Sequence, residues 1–166
     1  MTLVGQVTLR AERPEDRPLL QALYAETRTV ELADVPWTDE QKRAFCDMQF
    51  DLQARYYRQT YPDAQYDVIE MDGAPVGRLY VARLHNELRV LDVALIPALR
   101  GHGLGATLMH ELMGEARSAG KPLRLSVETY NPAQRLYQRL GFAAYEQTDF
   151  YLHMEWHPAA EVALRG

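Results

Sequence analysis

A glycine-rich segment just past the middle of this 166-residue chain has the residue types and spacing of an anion-binding turn. Gly101, Gly103 and Gly105 follow an apolar, β-branched segment at 87–96 and precede residues 107–113, whose apolar side chains recur at helical spacing. Glycines in such a turn let main-chain N–H groups approach a ligand closely, and the new helix adds its positive end. The spacing therefore predicts a site for a phosphate-bearing ligand.

Three nucleotide-binding patterns can be compared with this turn. A P-loop requires a lysine directly after the glycines, and the only lysines of the chain, Lys42 and Lys121, lie elsewhere. A dinucleotide-binding fold places Gly-x-Gly-x-x-Gly near its first strand, whereas here the spacing is Gly101-x-Gly103-x-Gly105 and the segment lies beyond the midpoint. The P-loop is excluded, and a nicotinamide-dependent oxidoreductase is a distant alternative.

The third pattern, Arg/Gln-x-x-Gly-x-Gly/Ala, matches Arg100, Gly103 and Gly105. Through this motif and its surroundings at 93–105, the chain resembles the GNAT family of acetyl-CoA-dependent N-acetyltransferases. A second segment, 131–142, is similar to the family's fourth-helix signature, which ends in Leu-Tyr, three residues and Gly-Phe. The resemblance covers residues 68–156, while the first 60 residues match only in their general layout.

The resemblance implies acetyl-CoA as cosubstrate and assigns its parts to named residues. The pyrophosphate would bind main-chain N–H groups of the turn: Arg100, Gly101, His102, Gly103, Leu104 and Gly105. The pantetheine arm would lie along Ala94, Leu95 and Ile96, pairing like an added strand where the fourth and fifth strands splay apart. The N–H near Leu95 would also polarise the thioester carbonyl, as an oxyanion hole does.

Two residues of the second signature have implied roles. Tyr137 is the candidate general acid, because a phenol titrates at about 10 and can donate a proton to the leaving thiolate at neutral pH. Its alternative is a core aromatic residue flanked by Leu136 and Leu140. Many family members carry a cofactor-binding Asn where this chain has Tyr130, so Asn131 either takes over that contact or caps the helix.

The general base and the acceptor site are less defined. Some family members place a Glu or His on the inward face of the fourth strand, where this chain has Arg89 and Leu91. Glu31 or Asp34, after the first helix, and Glu128, at the end of the fifth strand, are candidate amine-binding carboxylates, each with the alternative of a solvated or capping role. A water chain that releases the proton to solvent needs no dedicated base.

The site requires a particular set of elements. We expect an α/β (α+β) GNAT-like fold, with a mixed, mostly antiparallel sheet of about seven strands and about four helices, as one domain at 1–156 and a tail at 157–166. Strands are predicted at 7–11, 66–71, 76–84, 88–96 and 123–127, with two more in 143–156; helices are predicted after 14, from 38 to about 61, after the glycine turn to about 119, and at 132–140. Phe45, Met48, Leu52 and Tyr56 line one face of the second helix. This stripe is interpreted as core, and the alternative is an acceptor pocket shaped by Trp37, Phe45, Met48, Tyr56 and Tyr57.

Composition indicates which kinds of partner and which compartment to expect for this chain. A net charge of −5 argues against nucleic-acid binding, and the single cysteine, Cys46, cannot form an internal disulfide. No apolar run reaches the length of about 18 residues that a membrane span needs, and the first residues lack a signal-peptide pattern, so we expect a cytoplasmic protein without membrane association. His153 and His157 lie on a predicted strand and tail, so no metal site is expected.

The predicted function is transfer of an acetyl group from acetyl-CoA to a primary amine, by direct attack in a ternary complex. The acceptor is a small-molecule or peptide amine that the sequence does not identify. A non-catalytic acyl-CoA-binding regulatory module of the same fold is the alternative. Pairing through the last strand could support a homodimer.

Overall fold

The computed structural model describes residues 6–158, and within them the chain forms seven strands and four α-helices. The elements in chain order are β1 Val7–Ala11, α1 Arg17–Leu32, α2 Asp39–Thr60, β2 Gln65–Met71, β3 Ala74–Arg83, β4 Leu88–Leu95, α3 Leu104–Ala119, β5 Leu123–Glu128, α4 Gln134–Leu140, β6 Ala143–Gln147 and β7 Tyr151–Trp156. Short 3-10 turns at Pro14–Asp16 and Pro97–Leu99 precede α1 and follow β4. The strands form one sheet in the order β1-β2-β3-β4-β5-β7-β6. The predicted fold class is confirmed.

The described residues divide into two compact units. The amino-terminal unit comprises 6–80 and 93–99, and the carboxy-terminal unit comprises 81–92 and 100–158, so that β3 and β4 each contribute to both. The expected single domain at 1–156 stays a prediction, and most of the expected tail lies outside the described residues. None of the helices within 6–158 combines the length and apolar character that crossing a membrane requires.

One apolar core of the amino-terminal unit lies between α1 and α2. Its buried members are Leu20, Leu23, Tyr24, Leu32, Cys46 and Phe50. The predicted core face of α2 is wrong in part, because Met48, Leu52 and Tyr56 are 51%, 47% and 57% exposed. The buried residues Cys46 and Phe50 lie on another side of the helix, since tertiary packing rather than apolar periodicity selects the covered face.

Local signals set the ends of several elements. The hydroxyl of Thr38 accepts the Gln41 N–H at 3.1 Å and the Gln41 side chain accepts the Thr38 N–H at 2.9 Å, which confirms the predicted capping box of α2. Gly120 and Gly141 end α3 and α4 with φ of 68° and 103°, a left-handed conformation that glycine adopts without strain.

The two faces of the sheet differ in the carboxy-terminal unit. Leu123, Leu125 and Val127 of β5 are buried, and in the antiparallel register with β7 the first two lie opposite Trp156 and Met154. Helix α3 covers this face: the Arg117 guanidinium lies 5.4 Å from the centroid of the Trp156 ring. The alternate side chains of β5 and β7 point to the opposite face, which we call the open face: Arg124, Ser126, Glu128, Tyr151, His153 and Glu155.

The parallel pairing of β4 with β5 is short. Leu88 lies opposite Leu123, and the register ends where Val90 lies opposite Leu125. Within the carboxy-terminal unit both strands continue beyond these residues, β4 to Asp92 and β5 to Glu128. The strands therefore separate at their carboxyl ends, where ligands bind in many sheets with parallel strands.

Candidate active site

The glycine turn has the geometry of an anion cradle. Gly101 and Gly103 have φ of 77° and 85°, and a Cβ added at either would meet no atom within 4 Å, so the turn has an open side. Helix α3 begins at Leu104 without a side-chain cap, and its first helical hydrogen bond runs from the Thr107 N–H to the Gly103 carbonyl at 3.0 Å. The N–H groups of the first turn are thus placed as donors for an anion. These residues fit a pyrophosphate.

Helix α4 lies beside the start of α3. A Cβ added at Gly105 would lie 3.6 Å from Cδ2 of Leu136, which is ordinary van der Waals contact. Leu136 precedes Tyr137 in α4. The packing of the two helices therefore places the residue that precedes the candidate acid against the glycine turn.

Tyr137 is a buried phenol with an unused hydroxyl. Its side chain is 7% exposed, and its ring centroid lies 5.8 Å from that of Phe142. Within the described part of the chain its phenolic oxygen has no hydrogen-bond partner. Burial, together with the carboxylates of Asp92 and Glu128, raises the pKa of Tyr137 to about 12. The phenol therefore stays protonated at neutral pH and can act as a proton donor.

Asn131 orders the turn between β5 and α4. Its Nδ2 donates to Oε2 of Glu128 and its Oδ1 accepts the Ala133 N–H, both at 2.9 Å. Both the nitrogen and the oxygen of the side-chain amide are thus hydrogen-bonded within the turn that precedes α4. The same contact fixes the carboxylate of Glu128, which acts electrostatically on Tyr137.

Asp92 was missed by the sequence analysis, which considered only Arg89 and Leu91 on the same strand. It lies on β4 two residues beyond Val90, the last residue paired with β5. Its charge acts on the phenol of Tyr137. The point at which two parallel strands separate depends on their register, and no local sequence signal reveals that register.

The predicted pantetheine-binding segment lies in the amino-terminal unit. The Ile96 N–H donates to the Val76 carbonyl at 2.9 Å, and the Ile96 carbonyl accepts the Leu99 N–H at 3.0 Å. The carbonyl of Ala94 lies against Gly77, where a Cβ would overlap the oxygen. Ala94 and Ile96 also pack on the α1–α2 core. The segment is therefore held from two sides.

The two carboxylates predicted to follow the first helix are in the same unit as that segment, but Glu31 lies in the last turn of α1 and only Asp34 follows the helix. Glu31 accepts from the Arg28 guanidinium at 2.8 Å and is about one-third exposed. Asp34 is exposed in the turn that follows α1. The structure brings Glu128, but neither of these residues, into the group formed with Tyr137 and Asp92 in the carboxy-terminal unit.

A serine–histidine pair on the open face was also missed. Oγ of Ser126 lies 2.6 Å from Nδ1 of His153, which is directly opposite on β7. The rings of Tyr145 and Tyr151 flank the imidazole, with centroids 6.1 and 6.5 Å away. Alternation along β7 indicated the face of His153, but nothing in the sequence indicated that Ser126 is its neighbour.

Comparison with known proteins identifies the family. The sequence model of the acetyltransferase (GNAT) family matches residues 18–142, which is well over half of the chain. The chain belongs to the GNAT acetyltransferase family. It is therefore an acyltransferase, as the resemblance implied.

Individual GNAT relatives support the assignment. A putative [ribosomal protein bS18]-alanine N-acetyltransferase of Bacillus subtilis (strain 168) is 34% identical over 83 residues, which are 48% of this chain and 54% of that protein. The match thus spans about half the length of this curated relative.

Solved GNAT structures share the fold. PaiA N-acetyltransferase from Thermoplasma acidophilum, in complex with coenzyme A, superimposes with a TM-score of 0.68 at 19% identity over 92% of this chain and 99% of that chain. The putative acetyltransferase yncA from Salmonella typhimurium, with its cofactor acetyl-CoA, gives a TM-score of 0.57 at 23% identity over 92% and 94%.

Proposed function

We propose that this protein transfers the acetyl group of acetyl-CoA to a primary amine by direct attack in a ternary complex. The observation that carries the proposal is the packing of α4 against the start of α3. It sets α4, the helix that carries the buried phenol of Tyr137, beside the glycine turn proposed to bind the pyrophosphate. An anion site and a proton donor are two of the parts that acetyl transfer from a thioester needs.

We assign each group of residues a role in binding acetyl-CoA or in proton transfer. Main-chain N–H groups of Arg100, His102 and Leu104, with those of Gly101, Gly103 and Gly105, hold the pyrophosphate. Ala94 and Leu95 contact the pantetheine arm, and Ile96, whose main-chain groups already have partners, supports that segment. Tyr137 donates a proton to the departing thiolate, a step typically worth about 10² to 10⁴ in rate.

The acceptor is a primary amine, and a peptide α-amine is the first class to test. The B. subtilis relative is named for acetylation of an alanine of a ribosomal protein, although the match spans only half of each chain. An α-amine titrates at about 8, against about 10.4 for a lysine side chain, so a larger fraction is neutral and nucleophilic near pH 7. Glu31, Asp34 and Glu128 are the carboxylates proposed to attract its protonated form.

Thiol release measures the reaction directly. Purified protein is mixed with acetyl-CoA and one amine at a time: a peptide with a free N-terminal alanine, the same peptide with its N-terminus blocked and one lysine, and a small polyamine. We expect thiol release in excess of enzyme with at least one amine, and an added acetyl group on that amine by mass spectrometry. Acetyl-CoA without amine is the control for hydrolysis.

The rival function is a non-catalytic acyl-CoA-binding module. It predicts that acetyl-CoA raises the melting temperature while no amine supports thiol release. If NADH rather than CoA raises the melting temperature, the proposal itself is refuted.

A further inference from the structure

The open face of the carboxy-terminal unit has a hydrogen-bonded serine–histidine pair that has no role in the proposed function. Ser126 and His153 lie 2.6 Å apart there, on neighbouring antiparallel strands. The residues on β4 considered as bases, Arg89 and Leu91, cannot accept a proton from an amine. The acceptor for that proton is then either a chain of water molecules or another side chain.

The position of Ser126 suits it to accept a proton from the amine. It directly follows Leu125, the last residue of β5 that pairs with β4, so it lies at the edge of the opening between the two strands. Its side chain points to the face opposite Leu125, because side chains alternate along a strand. Ser126 therefore borders the opening from the open face.

Tyr137 lies on the covered face of the sheet, opposite the open face. Helix α4 ends at Gly141, where an added Cβ would lie 3.4 Å from the Trp156 ring, and Trp156 is on the covered face of the sheet. The acid and the serine–histidine pair thus lie on opposite faces. Aminolysis of a thioester passes through a tetrahedral intermediate, and this arrangement lets the serine–histidine pair serve the incoming amine while Tyr137 serves the departing thiolate.

We propose that Ser126 and His153 form a proton relay that deprotonates the acceptor amine during acetyl transfer. The inference rests on the proposed function. As the amine nitrogen bonds to the acetyl carbon, it gives a proton to Oγ of Ser126, whose own proton passes to Nδ1 of His153. The carbonyl π electrons move to oxygen as this bond forms, and the resulting tetrahedral intermediate then collapses with cleavage of the carbon–sulfur bond. The thiolate takes the proton of Tyr137, and the phenolate regains a proton from solvent. The serine starts and ends as a hydroxyl, and the proton on the imidazole leaves to solvent.

The surroundings suit an imidazole that must gain and lose a proton. Histidine is the commonest proton carrier near neutral pH because imidazole titrates at about 6.5. The rings of Tyr145 and Tyr151 limit its movement, and the hydrogen bond to Ser126 turns Nδ1 toward β5. The charged or titratable groups around it are Arg124 and Glu128 on β5, Tyr151 and Glu155 on β7, and Tyr145 and Glu146 on β6.

The test compares His153→Gln and Ser126→Ala with the wild type, using the best amine found by thiol release. We expect each variant to lose 10²-fold or more in kcat, on the order of general-base effects, with little change in the midpoint of CoA-induced thermal stabilisation. The double variant should lose no more than the worse single variant, since both residues serve one step. His157→Gln is the matched control, because His157 is paired with Glu155 at the end of the same strand.

Two further readouts separate proton transfer from a structural role. With the same amine, log(kcat/KM) should fall more steeply in acid for the wild type than for His153→Gln, because only the wild type has an imidazole whose protonation removes the proton acceptor. Added imidazole should restore part of the activity of His153→Ala.

Each outcome is decisive. Unchanged kcat and slope in His153→Gln would overturn the relay while the proposed function stands. An acetyl group trapped on Ser126 by mass spectrometry would also overturn it, because the serine would then be a nucleophile. A wild type that acetylates no amine would instead remove the proposed function.

Discussion

Gly77 lies beneath the carbonyl of Ala94, so closely that a methyl group on Gly77 would overlap that oxygen. Cδ2 of Leu95 would be 2.9 Å from the same methyl group, and Cδ1 of Ile69 would be 3.3 Å away. The missing side chain therefore sets the position of the segment proposed to contact pantetheine. Backbone on one side and packed side chains on the other leave little room for adjustment.

Gly77→Ala should destabilise the protein. Overpacking of this kind costs about 1–3 kcal/mol, and we also expect weaker CoA binding because Ala94 and Leu95 must move. Urea unfolding and CoA titration measure the two effects. Gly114→Ala in α3 is the control, since a Cβ there meets no atom within 4 Å and alanine favours the helix. Equal stability of the two variants would contradict the close approach.

Gly103→Glu should abolish the rise in melting temperature that CoA causes. A carboxylate in the turn would oppose the pyrophosphate at the start of α3. Because Gly103 has a φ of 85°, any side chain adds about 1–2 kcal/mol of strain. Gly103→Ala carries the strain without the charge and is the control. If CoA stabilises the glutamate variant as it does the alanine variant, the pyrophosphate binds elsewhere.

Tyr137→Phe should lower kcat by about 10² or more and leave CoA affinity nearly unchanged. Its ring would keep its packing on Phe142, and the lost hydroxyl has no hydrogen-bond partner within residues 6–158. Steady-state thiol release and CoA titration measure the two quantities. A variant with wild-type turnover would show that another group protonates the thiolate.

The same phenol should make the protein less stable in alkali. Burial, helped by Asp92 and Glu128, raises the pKa of Tyr137 to about 12, above its value of about 10 in the unfolded chain. The fold favours the neutral form, so the contribution of Tyr137 is intact below about pH 10 and is lost as pH rises toward 12. A shift of this size corresponds to about 2–3 kcal/mol. Urea unfolding at pH 9 and 11.5 should show a smaller loss for Tyr137→Phe than for wild type.

Asp16 should contribute stability that is lost in acid. Its carboxylate accepts two bonds from Arg10, at 2.8 and 2.7 Å, and the Arg13 N–H at 2.8 Å. The hydrogen bonds from Arg10 are the main reason that the pKa of Asp16 falls to about 2. The stabilisation is therefore present above about pH 4 and lost as pH falls through 2. Asp16→Asn should cost about 1–2 kcal/mol at pH 7 and little at pH 2, measured by urea unfolding.

Several features of the fold could be predicted from neighbouring residues alone. Thr38 and Gln41 form their capping box within one turn of helix, and Asp72 and Gly73 form a tight turn with φ of 52° and 82°. The glycine turn before α3 could likewise be predicted from neighbouring residues alone. These arrangements depend on interactions a few residues apart, so the local sequence suffices to define them.

Other features required the folded chain. The buried face of α2 was mispredicted because Met48 and Leu52 repeat at helical spacing, yet α1 packs against Cys46 and Phe50 instead. Spacing identifies an apolar stripe, whereas the neighbouring helix decides which stripe is covered.

The amino-acid sequence by itself determined the family, the fold class and the glycine turn before α3, because short-range motifs encode them. Only the tertiary structure decided that Asp92 and Glu128 act on Tyr137 and that Ser126 meets His153. Both interactions depend on the register of the strands and on the residue at which the pairing of β4 with β5 ends. Register comes from the packing of the whole sheet, and a shift by one residue would turn each of these side chains to the other face.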